Sequence, residues 1–233
     1  MTISGKRAVV TGCSSGIGLS LARALVAQGV EVHGLARRPC PEPEVQSHPT
    51  DLRDPAAVRR SIALIGADGP VDILALCAGV NVPGRTLGEL SDGDWEQLLS
   101  TNLTAAFSSL SAALPLLRTS RGAVVAISSV SAVWPDRSGI GYQAAKHGVL
   151  GLMRAAAYEE LGSGIRFTTV MPGLTSTPLL EQRPQPPDQS VRDAALRPED
   201  VAAACVFALS QPESACISEL TIMPTRIQAP GRT

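Results

Sequence analysis

The sequence predicts an α/β fold in which a doubly wound, parallel β-sheet carries helices on both faces. Short apolar segments alternate with segments of helical spacing along the whole chain. The apolar segments contain few polar positions, as is typical of parallel strands that are buried on both faces. The chain has 233 residues, a length that suits one large domain or two small ones. We expect a single domain over residues 1–233.

The predicted strands are short apolar runs bounded by glycine, proline or polar residues. Ala8–Thr11 opens into a glycine-rich stretch, and Val71–Leu76 lies between Pro70 and the turn-like pair Ala78-Gly79. The other predicted strands are Glu31–Ala36, Ala123–Ile127, Arg166–Val170 and Glu219–Met223.

The predicted helices are marked by periodic apolar residues and by capping sequences. Gly16–Gln28 has apolar residues every three or four positions and ends before Gly29, a residue type that commonly terminates helices. Ser91 is placed to cap a long helix, and we expect Pro115 to lie just beyond its end. The later predicted helices are Ser91–Leu114, Gly141–Leu161 and Pro198–Leu209.

The connection after the second strand departs from this alternation. Four prolines between positions 39 and 49 exclude a regular helix there, because proline lacks an amide hydrogen and clashes with the preceding turn. Only Glu44–Ser47 fits a short strand. We therefore expect an extended link in place of the usual crossover helix.

Composition argues against several classes of protein. A net charge of −1 and 3% aromatic residues disfavour binding to nucleic acid or to an anionic membrane. The five cysteines are scattered without zinc-site spacing, so we expect reduced thiols and no metal. We find neither a signal-peptide pattern nor an apolar run of about 18 residues, and we expect a cytoplasmic protein.

A glycine-rich loop, Thr11–Gly18, joins the first strand to the first helix. In this context Gly12 permits a tight turn, Gly16 allows the backbone to approach a pyrophosphate, and Gly18 allows the helix to pack on the strand. The helix N-terminus supplies free amide groups for the phosphates. The loop predicts a Rossmann-type dinucleotide site; the alternative is a glycine-rich turn without a ligand.

The end of the second strand indicates which dinucleotide is bound. An acidic residue there would bind the ribose 2′-hydroxyl of NAD, but this sequence has Arg37 and Arg38. A guanidinium group pairs well with a 2′-phosphate. We therefore expect NADP (as NADPH); the alternative is a solvated arginine pair.

Tyr142 and Lys146 lie four positions apart in a predicted helix, and the chain has only two tyrosines and two lysines. At this spacing the two side chains share one helix face. A nearby ammonium group lowers the pKa of a phenol and fits it for acid–base catalysis. Tyr158 has no such partner and is interpreted as a packing residue.

A candidate substrate-binding hydroxyl lies thirteen residues before Tyr142, at the end of a predicted strand. Open α/β sheets bind ligands at this edge. By position alone the hydroxyl could belong to Ser129, Ser128 or Ser131.

Taken in order, these motifs resemble the short-chain dehydrogenase/reductase family over essentially the whole chain. The resemblance implies a catalytic set of Ser129, Tyr142 and Lys146, supported by Asn102. It also implies that Lys146 bonds the nicotinamide ribose. The motifs are TGCSSGIG at Thr11–Gly18, DLRD at Asp51–Asp54, CAG at Cys77–Gly79, TNL at Thr101–Leu103, ISS at Ile127–Ser129, YQAAK at Tyr142–Lys146 and PGLTST at Pro172–Thr177.

The resemblance also implies which residues hold the cofactor, with Asp51 beside the adenine and Thr177 near the nicotinamide carboxamide or the phosphates. The family's usual Asn-Asn-Ala-Gly appears here as Leu76-Cys77-Ala78-Gly79, which loses polar side chains beside the cofactor. The predicted cofactor-binding residues are Gly12, Ser14, Ser15, Gly16, Ile17, Gly18, Arg37, Arg38, Asp51, Leu52, Cys77, Ala78, Gly79, Tyr142, Lys146, Pro172, Gly173, Thr175 and Thr177.

The substrate should lie against residues 80–90, 131–140 and a proline-rich flap at about 174–197. Ser131 and Trp134 are the candidate substrate contacts; the alternative for Trp134 is a partly exposed surface position. The flap contains Arg183, Arg192 and Arg197, which leaves open either an anionic substrate or solvated arginines.

The predicted function is NADPH-dependent reduction of a ketone or aldehyde, or the reverse alcohol oxidation. One alternative is a regulatory NADP-binding protein without turnover, and another is dehydration or epimerisation on the same fold. The expected partners are a small carbonyl or alcohol substrate and further copies of the chain, as a homotetramer or dimer, with no nucleic acid and no membrane.

Overall fold

Seven strands form one parallel sheet in the computed structural model, which describes residues 2–227. They are β1 (Arg7–Thr11), β2 (Glu31–Ala36), β3 (Gln46–Pro49), β4 (Ile73–Leu76), β5 (Ala123–Ile127), β6 (Arg166–Pro172) and β7 (Glu219–Ile222). Their order across the sheet is β3-β2-β1-β4-β5-β6-β7, with every neighbouring pair parallel. The strand order reverses between β1 and β4, where open sheets of this kind bind ligands.

Seven α-helices surround this sheet in the described residues. They are α1 (Gly16–Ala27), α2 (Pro55–Ala67), α3 (Asp92–Leu99), α4 (Ala105–Ser120), α5 (Ile140–Glu159), α6 (Gln189–Ala194) and α7 (Pro198–Leu209). The sheet and its helices confirm the predicted Rossmann-type α/β class.

The core consists of two layers, one on each face of the sheet. Successive strand residues point to opposite faces, so Val10 packs with α1 and α7 while Val9 packs with α2, α4 and α5. Leu21 of α1 and Ile62 of α2 are both almost completely buried, one in each layer. This double burial explains why the strand segments are apolar throughout.

Helix α2 was absent from the sequence-based prediction, although its signals are local. The Asp54 side chain accepts a hydrogen bond from the Ala56 amide at 2.8 Å, and Pro55 occupies the first turn. Both features are typical of helix starts. Val58, Ile62 and Ile65 then form the buried face.

The long predicted helix Ser91–Leu114 is divided and runs further than expected. Ser91 does cap α3, accepting from the Asp94 amide at 3.1 Å, but a π-helical turn over residues 100–104 separates α3 from α4. The prediction that Pro115 lies beyond the end is wrong, because α4 continues through it to Ser120. Pro115 and Ser111, the residue four positions earlier, are both exposed, so water can satisfy the carbonyl that loses its amide partner.

The link after β2 contains no helix in the described structure, as predicted. Its short strand is Gln46–Pro49 rather than Glu44–Ser47, and it pairs with β2 at the edge of the sheet. Proline is tolerated at an edge, where its missing amide removes no hydrogen bond from a further strand.

Two negative findings hold for residues 2–227. No helix there has both the length and the apolar character needed to cross a membrane. No three His, Cys, Asp or Glu side chains in this range are grouped as metal ligands.

Candidate active site

A cavity of about 500 Å³ lies at the carboxyl edge of the sheet. It is bordered by the glycine-rich loop, by the ends of β2, β4, β5 and β6, and by the first turns of α5. All the predicted cofactor-binding residues border this cavity, and so do Ser129 and Ser131. Asn102 and Trp134 are not among its lining residues.

The glycine-rich loop forms a cradle that larger residues would close. Gly12 has a φ of +71°, and a Cβ atom there would lie 2.8 Å from the Ala78 Cα atom. A Cβ atom at Gly18 would lie 2.4 Å from the Gly12 carbonyl oxygen. Ser15 makes no side-chain capping bond at the start of α1 within the described residues. The first amides of α1 are therefore free to bind an anion, which fits the phosphates of a dinucleotide.

Arginines dominate the end of the cavity formed by β2 and the DLRD segment. Arg37, Arg38 and Asp51 all border the cavity there. Arg53, which was not predicted, also borders it and donates from Nε and Nη2 to the Asp51 carboxylate at 3.0 and 2.7 Å. These hydrogen bonds lower the pKa of Asp51 to about 2. Arg53 makes the hydrogen bonds to Asp51, and Arg37 attracts that carboxylate only through its charge. The N–H donors of Arg37 and Arg38 therefore remain for a ligand.

Tyr142, Ser129 and Lys146 meet where β5 and α5 approach each other. Ser129 lies within hydrogen-bonding reach of the Tyr142 hydroxyl. The Lys146 ammonium donates to the Ile127 carbonyl at 2.8 Å and lies 5.6 Å from the centroid of the Tyr142 ring. The first turns of α5 thus place both side chains on the cavity wall, as their four-residue spacing predicts.

The pKa of Tyr142 differs from the sequence-based prediction. Burial raises this pKa to about 12, and the nearby Ser129 hydroxyl only partly opposes the effect. Burial also lowers the pKa of Lys146 to about 8. Lys146 therefore loses its charge before a phenolate could form, and it cannot lower the pKa of Tyr142 in the protein alone. At neutral pH the tyrosine is a protonated donor.

Asn102 supports the cavity wall from behind. It lies in the π-helical turn, and its amide group accepts from the Val80 amide at 2.9 Å and donates to the Val80 carbonyl at 3.0 Å. A Cβ atom at Gly79 would lie 3.0 Å from Asn102 Oδ1 and 3.5 Å from Lys146 Nζ. Asn102 is therefore close to Lys146, while its implied support of the catalytic set stays a prediction.

A chain of serine hydroxyls leads from Ser129 to an acidic residue that sequence reasoning missed. Ser129 donates to the Ser131 hydroxyl at 2.9 Å, and Ser131 donates to Asp136 Oδ2 at 2.6 Å. Asp136 thereby orients both hydroxyl groups. Ser128 instead donates to the Lys146 carbonyl at 2.9 Å, so it is committed to the start of α5. The only signal for Asp136 was its place in a segment expected to contact substrate.

The remaining wall of the cavity is mixed, with polar side chains beside Val80, Val130, Leu174, Leu179 and Leu180. Trp134 does not border it, so the prediction of a tryptophan wall is wrong. The chain turns after Ser129, and the Trp134 amide donates to the Val130 carbonyl at 2.9 Å as the turn closes. Residues missed by sequence reasoning occupy this wall: Asn81, Arg85, Asp136, Ser138 and Gln182. Arg183, considered earlier only as one of three flap arginines, is also part of it.

Comparisons with known proteins agree with this geometry. A family model described as short chain dehydrogenase matches residues 6–188. An uncharacterized oxidoreductase of Staphylococcus haemolyticus is 32% identical over 233 residues, covering 95% of this chain and 98% of that protein. The D-beta-hydroxybutyrate dehydrogenase of Rhizobium meliloti is 31% identical over 206 residues, covering 79% of this chain and 76% of that protein.

The solved structures show the same likeness. Ligand-free Thermoplasma acidophilum aldohexose dehydrogenase matches with a TM-score of 0.86 at 26% identity, covering 99% of this chain and 97% of that one. The family model and the relatives confirm the resemblance inferred from the sequence motifs. The chain belongs to the short-chain dehydrogenase family of oxidoreductases.

Proposed function

We propose that the protein is an NADPH-dependent reductase of a ketone or aldehyde, or catalyses the reverse alcohol oxidation. One observation carries the proposal: a protonated, half-buried tyrosine and a serine hydroxyl lie together in a cavity whose other end is a glycine cradle. The glycine cradle and arginines would hold the pyrophosphate and the adenosine end of the cofactor.

Each residue of the site has a distinct role in this reaction. The bound nicotinamide supplies or accepts the hydride. Tyr142 donates a proton to the carbonyl oxygen in reduction, since its pKa of about 12 keeps it protonated near neutral pH. Ser129 would hold that oxygen by turning its hydroxyl hydrogen to it from Ser131. Lys146 would bind the nicotinamide ribose, and it keeps α5 against β5 through the Ile127 carbonyl.

A panel of carbonyl compounds tests the proposal against both alternatives. We expect NADPH consumption at 340 nm with formation of the alcohol, identified by chromatography. Tight NADPH binding without consumption by any compound would favour a regulatory protein. A product at the same oxidation level as the substrate would instead favour dehydration or epimerisation.

The preference for NADPH is a separate prediction. Arg37→Glu should weaken NADPH binding about 10- to 100-fold, because a charge-assisted hydrogen bond to the 2′-phosphate contributes about 1.5–3 kcal/mol. NADH binding should change much less, since its ribose carries no phosphate. Fluorescence titration with both cofactors measures the two dissociation constants.

The control is Arg59→Glu, which makes the same charge change at an exposed position of α2 outside the cavity. It should leave the dissociation constants of NADPH and NADH within about threefold of the wild-type values. Equal weakening of NADPH and NADH by Arg37→Glu would show that Arg37 does not bind the 2′-phosphate.

We also propose that the chain forms a cytoplasmic homo-oligomer, a tetramer or dimer. The interpretation of Tyr158 as a packing residue is wrong within one chain, because it is 82% exposed, and Phe107 of α4 is 56% exposed. Large exposed apolar side chains favour association.

Light scattering tests the oligomer. The wild-type mass should be a multiple of 24.2 kDa, and Phe107→Glu should shift the mass toward a monomer. We propose α4 and α5 as the interface, so Leu64→Glu, at a comparably exposed apolar position on α2, should leave the mass unchanged. A monomeric wild-type chain would contradict the proposal.

A further inference from the structure

We propose that Arg85 and Arg183 form a subsite for a carboxylate group on the substrate, so that the enzyme acts on small keto acids or hydroxy acids. This inference rests on the proposed carbonyl chemistry at Tyr142 and names a substrate class for it. It concerns the wall of the cavity beside Tyr142, whose hydroxyl interacts electrostatically with both arginines.

The backbone fixes Arg85 beside the turn that carries Tyr142. The Arg85 carbonyl accepts from the Ile140 amide, at the start of α5, at 3.2 Å. A Cβ atom at Gly139 would lie only 2.8 Å from the Arg85 Cβ atom. Tyr142 follows Ile140 by two residues, so Arg85 and the catalytic hydroxyl share one corner of the cavity.

Hydrogen bonds anchor the Arg85 guanidinium and bring the flap to it. Its Nε donates to the Val82 carbonyl at 3.0 Å, and its Nη2 donates to the Gln182 carbonyl at 3.3 Å. Because Gln182 precedes Arg183, the second bond also holds Arg183 close to Arg85. Both arginines border the cavity. A guanidinium has five N–H donors, so donors remain for a ligand.

The two arginines repel each other in a partly buried wall. Both are half-buried, and burial lowers the pKa of each. The charge of Arg183 lowers the pKa of Arg85 further. No carboxylate of the described residues lies within 4.0 Å of either guanidinium. Such a pair is unfavourable in the free protein and is stabilised by a bound anion.

Asp136 is the carboxylate that acts on both arginines. Its negative charge reduces the negative charge that the subsite can bind. Its oxygens already accept hydrogen bonds from Ser131 at 2.6 Å and from the Ser138 amide at 2.8 Å. It attracts both arginines only at longer range. The three groups together carry a net charge of about +1 at neutral pH. That charge matches one carboxylate better than a phosphate dianion.

The other two flap arginines have partners of their own. Arg192 pairs with Glu181 and Arg197 pairs with Asp200. Neither borders the cavity. The choice between an anionic substrate and solvated arginines, which the sequence left open, therefore depends on Arg183 together with Arg85.

The test compares keto acids with their neutral methyl esters. The probes are pyruvate, acetoacetate and levulinate, each paired with its methyl ester, and the measured quantity is the acid-to-ester ratio of kcat/KM. Arg85→Gln and Arg183→Gln should each lower this ratio about tenfold or more for the best acid, since each removes a charge-assisted contact. Activity on the esters should stay within about threefold.

The matched control is Arg137→Gln, which removes the same charge from an exposed position next to Asp136 that does not border the cavity. It should leave the ratio unchanged. Equal losses for acid and ester in the cavity variants, or an equal fall in the control, would overturn the subsite. Circular dichroism checks folding, and Arg183→Gln carries the test alone if Arg85→Gln unfolds.

Binding measurements separate failure of the subsite from failure of the proposed reaction. If no probe is turned over, calorimetric titration of acetoacetate into the protein with NADP is the readout. Binding to the wild type that is lost in both variants supports the subsite and leaves the carbonyl chemistry as the failed part. No binding of any keto acid overturns the subsite. A larger arginine-dependent preference for dihydroxyacetone phosphate over dihydroxyacetone would reassign it to phosphate.

Discussion

Tyr142→Phe is expected to lower kcat about 10³-fold or more, while the dissociation constant of NADPH stays within about threefold. The hydroxyl is the proposed proton donor, and it lies beside the Ser129 hydroxyl in the cavity. General acid catalysis by a positioned side chain contributes about 10²–10⁴-fold, and phenylalanine keeps the ring but removes the proton. Stopped-flow measurement of NADPH oxidation gives the rate, and fluorescence titration gives the binding constant.

Tyr158→Phe is the matched control, because it removes the same group from the same helix at a position that is 82% exposed. It should leave both kcat and NADPH binding unchanged. Near-normal turnover by Tyr142→Phe would remove Tyr142 from the mechanism. A parallel loss of NADPH binding would instead indicate a disrupted cavity, which thermal unfolding would reveal.

The parts of the fold that depend on adjacent residues could be predicted from the sequence. The loop Thr11–Gly18 joins a buried strand to a helix because glycine alone fits the close approaches at Gly12 and Gly18. The sequence signals for helix α2 are equally local, since Asp54 caps it, and the same rules could have predicted it. Pro115 misled the prediction because a helix tolerates an internal proline where that face meets solvent, and the exposed face of α4 is set by its packing.

The chemistry of the site was less predictable because it depends on residues far apart in the chain. The spacing of Tyr142 and Lys146 places both on one wall, but burial by the surrounding elements decides the pKa of each. Arg85 belongs to a different loop and reaches the site through contacts with Gly139 and Gln182. No periodicity within one element contains that information.

Lys146→Met is expected to stabilise the cofactor-free protein while lowering turnover about 10²-fold or more. Burial lowers the pKa of Lys146 from its usual 10.5 to about 8, which corresponds to about 3 kcal/mol of cost for the charged form. Loss of the hydrogen bond to the Ile127 carbonyl offsets about 1–2 kcal/mol. Chemical denaturation at pH 7 should therefore show a gain of about 1–2 kcal/mol in the free energy of unfolding.

The pH dependence of that gain distinguishes a buried charge from a simple change in packing. Between pH 8 and 10.5 the unfolded wild-type chain keeps the lysine proton while the folded chain has lost it. Wild-type stability then rises with pH relative to the methionine variant, because the unfolded state binds more protons. The gain should be largest below pH 8, converge to zero at about pH 9 and reverse by about pH 10.5, where only the lost hydrogen bond to the Ile127 carbonyl remains. Lys6→Met, at the partly exposed second lysine, should show no such convergence, and a constant difference for Lys146→Met would contradict a lowered pKa.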